Sequence, residues 1–204
     1  MTKRNKKGFT LIEILVVIAI IAILAVVVVL TLNPAELLRQ SRDSSRLSDF
    51  ATLKSALSLY VTDNVTSNLA STSLGYSACY LSVPSPNGTS TAKCGVFTNT
   101  YAGGNASTSS ALYKNNNSTG WLPVNFSQLS YGSPLSALPV DPVNNGNYYY
   151  AYAATSIATG NYYELDTFME SKKYNASGTN DVVSTDGGDN NQAYEVGSQL
   201  KLNL

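Results

Sequence analysis

Glu13 is the residue whose position most needs a chemical explanation. It stands in a run from Phe9 to Leu32 whose only other polar side chains are Thr10 and Thr31, and an ionisable group in so apolar a span is costly unless it meets a partner. Lys3, Arg4, Lys6, Lys7 and Gly8 come immediately before the run. A second set of residues, Asp181, Asp186 and Asp189 with Gly187 and Gly188, offers carboxylate and backbone oxygens of the kind that bind calcium. Their spacing fits no EF-hand, and the same composition builds a solvated turn. The third set is the two cysteines, Cys79 and Cys94. In an exported chain they suggest one disulfide closing a loop of ~15 residues, worth ~3 kcal/mol; two separate buried thiols are the alternative.

Other chemistry is excluded by composition. The chain has no histidine, which removes His-ligated metals, Ser-His-Asp triads and most acid/base mechanisms. The carboxylates show no recognisable catalytic pair, so no enzyme is expected. Four of the 13 basic residues precede the apolar run, and all 13 acidic residues follow them. Without its first eight residues the chain is mildly acidic, and no nucleic-acid contact is expected of this chain alone.

The apolar run must be positioned by a helix. Phe9 to Leu32 is 24 residues, or ~36 Å as an α-helix, enough to cross a bilayer. It is apolar on every side, unlike the core helix of a soluble protein, and the basic residues before it keep residues 1–8 in the cytoplasm. A conventional signal peptide would end in small residues at a cleavage site. Here the run ends in Thr31-Leu32-Asn33-Pro34-Ala35 instead.

The string Lys6-Lys7-Gly8-Phe9-Thr10-Leu11-Ile12-Glu13 resembles the type IV prepilin family, most closely over residues 3–33. The resemblance implies that a prepilin peptidase cuts after Gly8, leaves the apolar helix on the product and methylates the new amine of Phe9. The new amine supplies what Glu13 lacks: on a neighbouring subunit it can pair with the Glu13 carboxylate, which makes Phe9 and Glu13 the assembly residues. A buried pair of that kind sets register more surely than it adds stability. The implied partners are the peptidase, further copies of the chain and other pilin-like subunits, an assembly platform with its ATPase, and the membrane. The implied location is the cytoplasmic (inner) membrane, crossed once, with the C-terminal part extracytoplasmic and assembled into a surface or periplasmic fibre.

The rest of the chain reads as an α+β fold, a long N-terminal helix packed on a small C-terminal antiparallel sheet. We divide it into a basic leader (1–8), a transmembrane and fibre-core helix (9–33), an amphipathic helix (34–63), a loop-rich connection (64–135) and a sheet region (136–204). Pro34 interrupts the first helix. After it, Leu37, Leu38, Leu47, Phe50, Leu53, Leu57, Tyr60 and Val61 recur at helical spacing, while Arg39, Arg42, Asp43, Arg46 and Asp49 take the other faces. Those charges read as a solvated surface laced by ion pairs. Tyr148–Ala153, Tyr162–Phe168 and Tyr194–Leu202 read as strands, the middle one as half exposed.

These readings converge on a structural subunit of a type IV pilus-like fibre. A major pseudopilin of a type II secretion system is the alternative, because Leu138-Pro139-Val140-Asp141-Pro142 is similar to the segment before the sheet in such proteins, which often carry a calcium loop. A disulfide-closed loop is more reminiscent of pili. A minor subunit acting as adhesin or DNA-uptake receptor is a third reading, with some of the 14 tyrosines as its stacking surface.

Overall fold

The structure, a computed structural model, describes residues 8–63, 68–70, 78–83, 105–106, 111–157 and 160–200. It forms two units, Met1–Leu38 and Arg39–Leu204.

Helix α1 spans Leu11–Leu32, with Thr10 as N-cap. The Thr10 hydroxyl accepts from the Glu13 amide at 3.4 Å, and Glu13 Oε2 accepts from the Thr10 amide at 2.7 Å. This reciprocal capping box satisfies two backbone donors that the first turn leaves without partners. None of the α1 residues is buried within the chain, and the helix is long and apolar enough to cross a membrane. Its other polar residue, Thr31, turns its hydroxyl back onto the Val27 and Val28 carbonyls, the local bond that helical serines and threonines commonly make. Asn33 ends α1 in the left-handed region at φ 41°.

Helix α2, Pro34–Asp63, starts on the proline itself, where a missing amide hydrogen costs nothing. Its buried residues are Asp43, Arg46, Phe50, Leu53, Ala56, Leu57 and Tyr60, spaced by three or four as one helix face requires. The apolar half matches the expected stripe, but Leu37 and Leu38 are exposed. Asp43 and Arg46, read from sequence as solvated, are completely buried.

The sheet has the order β2-β1-β3-β4-β5, with β1 Cys79–Leu81, β2 Asn105–Ala106, β3 Tyr150–Ile157, β4 Gly160–Thr167 and β5 Tyr194–Gly197. All neighbours are antiparallel except the two-residue β2, which runs parallel to β1. The three late strands lie where the sequence suggested, but β3 starts at Tyr150 and runs on to Ile157, and β5 ends at Gly197 rather than Leu202, residues 201–204 lying outside those described. β1 comes from the span expected to be loop-rich; three residues are too few to show an alternating pattern, and its pairing is supplied by β3. Together with the long apolar helix, this gives the α+β, pilin-like arrangement that the resemblance implied.

Strand alternation divides the sheet into two faces. Tyr80, Tyr150, Tyr152, Tyr163, Leu165 and Val196 join Phe50, Leu53, Leu57 and Trp121 in the main core. Cys79, Leu81, Ala151 and Ala153 lie on the opposite face in a smaller cluster with Val83, Tyr149 and Ala193. Because both faces are covered, Glu164, Asp166 and Thr167 are buried, so β4 is not the half-exposed strand its mixed composition suggested. The tyrosines on and beside the sheet largely serve packing. Tyr80, Tyr149, Tyr150, Tyr152 and Tyr163 are all buried, and the hydroxyls of Tyr150 and Tyr152 donate to Asp49 and to the Leu69 carbonyl, which leaves those rings no free face for stacking a ligand.

Candidate functional site

The N-terminal site is built on the first turn of α1. Gly8 is exposed, and a Cβ placed there would meet nothing within 4 Å, so the chain's own packing does not require glycine at this position. A processing enzyme that must reach the peptide bond between residues 8 and 9 does gain from a small residue. Phe9 is 83% exposed. Glu13, four residues on, is held by the amide and hydroxyl of Thr10, both on Oε2 at 2.7 and 2.8 Å. The carboxylate is thereby aimed at the helix start, where a chain beginning at Phe9 would carry its amine. Capping and the helix dipole both favour a negative charge here. The arrangement can bind a cation at an apolar helix end.

In the second unit, a buried ionic network fastens α2 to the segments before β3 and after β4. Arg46 makes a two-point bond with Asp141, Nε to Oδ2 at 2.6 Å and Nη2 to Oδ1 at 2.9 Å. It also reaches Asp43 at 2.7 Å and Glu170 at 2.7 Å. Arg42 grips Glu170 through Nε and Nη2 at 2.9 and 2.6 Å. Asp43 accepts the backbone amides of Glu170 and Ser171, and Asp141 those of Val143 and Asn144. Burial by itself would favour a neutral Arg46, but its hydrogen bonds to Asp141, Glu170 and Asp43 outweigh that and hold the guanidinium charged. Fork-shaped guanidinium pairs of this kind are the strongest protein ion pairs and fix geometry as well as charge. Arg42 and Arg46, expected on a solvated face, are thus engaged within the chain.

The Pro-Val-Asp-Pro segment has a structural role in the same network. Asp141 is the partner of Arg46, and the Pro139 carbonyl accepts from Trp121 Nε1 at 2.9 Å. Sequence reasoning singled out the segment but not its partner, which lies 95 residues earlier in the chain. The only local trace was the Asp43–Arg46 spacing of three.

The calcium candidates are separated in role. Asp181 is engaged by its own turn, accepting from the amides of Ser177, Val183 and Ser184 and from the Ser184 hydroxyl. Those bonds, led by the Ser184 hydroxyl, lower its carboxyl to about 2. Asp186 accepts from Gly188 and from the Glu195 amide at 2.8 Å. Asp189 is exposed, and both Asp186 and Asp189 act electrostatically on Asp166 of β4. Cys79 is buried at the start of β1; Cys94 lies outside the described residues.

Comparison with curated proteins and with solved structures finds no match. The family model described as the prokaryotic N-terminal methylation motif matches residues 3–29, the segment that holds Gly8, Phe9 and the capped Glu13. The chain thus carries the prepilin-type cleavage and methylation motif of type IV pilin-like proteins.

Proposed function

We propose that the chain is a structural subunit of a type IV pilus-like fibre, made as a prepilin, cut after Gly8, methylated on Phe9 and polymerised through α1. The observation that carries this reading is an entirely exposed apolar helix directly beneath a processing motif, with one carboxylate at its start. Left in water, such a surface would associate at once; it is suited to a membrane before assembly and to a helical fibre core after it. In the fibre the Phe9 amine of one subunit meets the Glu13 carboxylate of the next, so the register between subunits follows from a single charge pair. The second unit then faces the extracytoplasmic side, fastened internally by Arg46 and by a Cys79–Cys94 disulfide.

The test is the intact mass of the full chain expressed with and without a prepilin peptidase. The expected product lacks residues 1–8 and carries one added methyl group. A chain left whole, or cut beyond Leu32, would overturn the reading.

A further inference from the structure

On the sheet face opposite α2, three carboxylates stand at adjacent positions. Glu164 and Asp166 are two residues apart on β4 and share that face, and Asp166 pairs directly with Glu195 on β5. Like charges placed opposite one another destabilise a sheet, and here all three residues are buried, Asp166 completely. Both Asp166 oxygens lack a hydrogen-bond partner among the described residues. A carboxylate in that position costs several kcal/mol if it remains charged and alone. Its electrostatic neighbours are Glu164, Glu195, Asp186 and Asp189, all acidic.

We propose that Glu164, Asp166 and Glu195 bind one hard divalent cation of calcium's size between β4 and β5. One oxygen from each residue lies within 4.8 Å of the other two. That upper bound is compatible with oxygens held ~2.3–2.6 Å from one calcium ion, and a set of three buried carboxylates suits calcium better than magnesium, which keeps several waters and is usually held by one or two carboxylates. Three carboxylates and no nitrogen or sulfur donor select a hard ion over zinc or copper.

The surroundings hold Glu195 in place for this task. Its Oε2 accepts from the Asn190 amide at 3.0 Å, and its own amide donates to Asp186. Gly188 lies so close that an added Cβ would come within 1.7 Å of Glu195 Oε2, so a side chain at 188 would push the carboxylate out of its present position. A bound cation would offset the charge on Asp166, join β4 to β5 and, through Glu195, anchor the loop between them. The three ligands are strand residues. They are distinct from Asp181, whose oxygens are taken by its own turn.

The test uses the full chain in detergent, stripped with EDTA and titrated with Ca²⁺ alone. Calorimetry should show one Ca²⁺ per chain, and saturation should raise the thermal midpoint, read by Trp121 emission, by ~5 °C or more at ~100-fold excess over the dissociation constant. Asp166→Asn and Glu195→Gln, both isosteric, should remove the heat and the shift, and Asp181→Asn should keep them. Glu195→Gln decides the matter should Asp166→Asn fail to fold. The proposal is overturned by a wild-type chain that gives neither heat nor shift. It is also overturned if Glu195→Gln responds like wild type, or if the response is lost in Asp181→Asn instead. None of these readouts needs cleavage or polymerisation, so the result is independent of the fibre assignment.

Discussion

Arg46 and Asp141 form a two-point ion pair across 95 residues of sequence, at 2.6 and 2.9 Å, with neither side chain reaching solvent. The pair decides where the segment before β3 sits against α2, and Asp43 and Glu170 complete the charge around it. Removing one member leaves the others buried without their partner. Arg46→Ala should therefore destabilise the second unit by ~3–5 kcal/mol. Urea unfolding followed by the emission of Trp121, the chain's single tryptophan, measures it.

The same network predicts an acid limit. The hydrogen bond from Arg42 is the main force holding the Glu170 carboxyl below its ordinary 4.5; burial opposes it and Arg46 adds to it. Because the folded value lies below the unfolded one, the stabilisation is complete above ~4.5 and is lost as the pH falls through the folded value. Glu170→Gln should be less stable than wild type near neutrality, with the gap shrinking below pH ~4.5. Paired urea titrations at pH 7, 5 and 3.5 check this.

Glu13→Gln separates assembly from helix capping. Glutamine can still close the capping box with Thr10, so cleavage and the helical content of the chain should be unchanged. Fibre yield should drop ~100-fold or more, since an unpaired buried amine costs ~3–5 kcal/mol. Sheared-fibre protein, quantified beside cleaved protein retained in the membrane, gives both numbers.

Gly8→Val should block processing and nothing else. The glycine has open space around it, so a larger residue strains no contact of the folded chain. The expected outcome is uncleaved protein with wild-type Trp121 emission, read by intact mass and fluorescence.

For the cysteines, the expected result is a mass that shows no alkylation before reduction and two alkylated thiols after it. Cys94→Ser should then cost ~2–4 kcal/mol, in line with a closed loop of ~15 residues.

Local signals suffice to place residues 8–38. An apolar run of one type, a proline after it and a motif of eight residues are local signals, and α1 ends at Leu32 with α2 beginning on Pro34 as they require. The spacing of Phe50, Leu53, Leu57 and Tyr60 likewise made the apolar half of α2 legible, as did the aromatic runs of β3, β4 and β5.

The placement of the charges, by contrast, depends on long-range contacts. Asp43 and Arg46 carry the same helical spacing whether they face water or the interior, and only the arrival of Asp141 and Glu170 from 95 or more residues away makes burial tolerable. Glu164 and Asp166 read as the polar side of a half-exposed strand, because alternation shows which residues share a face but not whether that face is covered. The loop carrying Gly188 lies against the Glu195 carboxylate on that face, and all three carboxylates are buried there. Apolar periodicity is a property of adjacent residues, whereas the burial of a charge depends on partners that only the folded chain brings together.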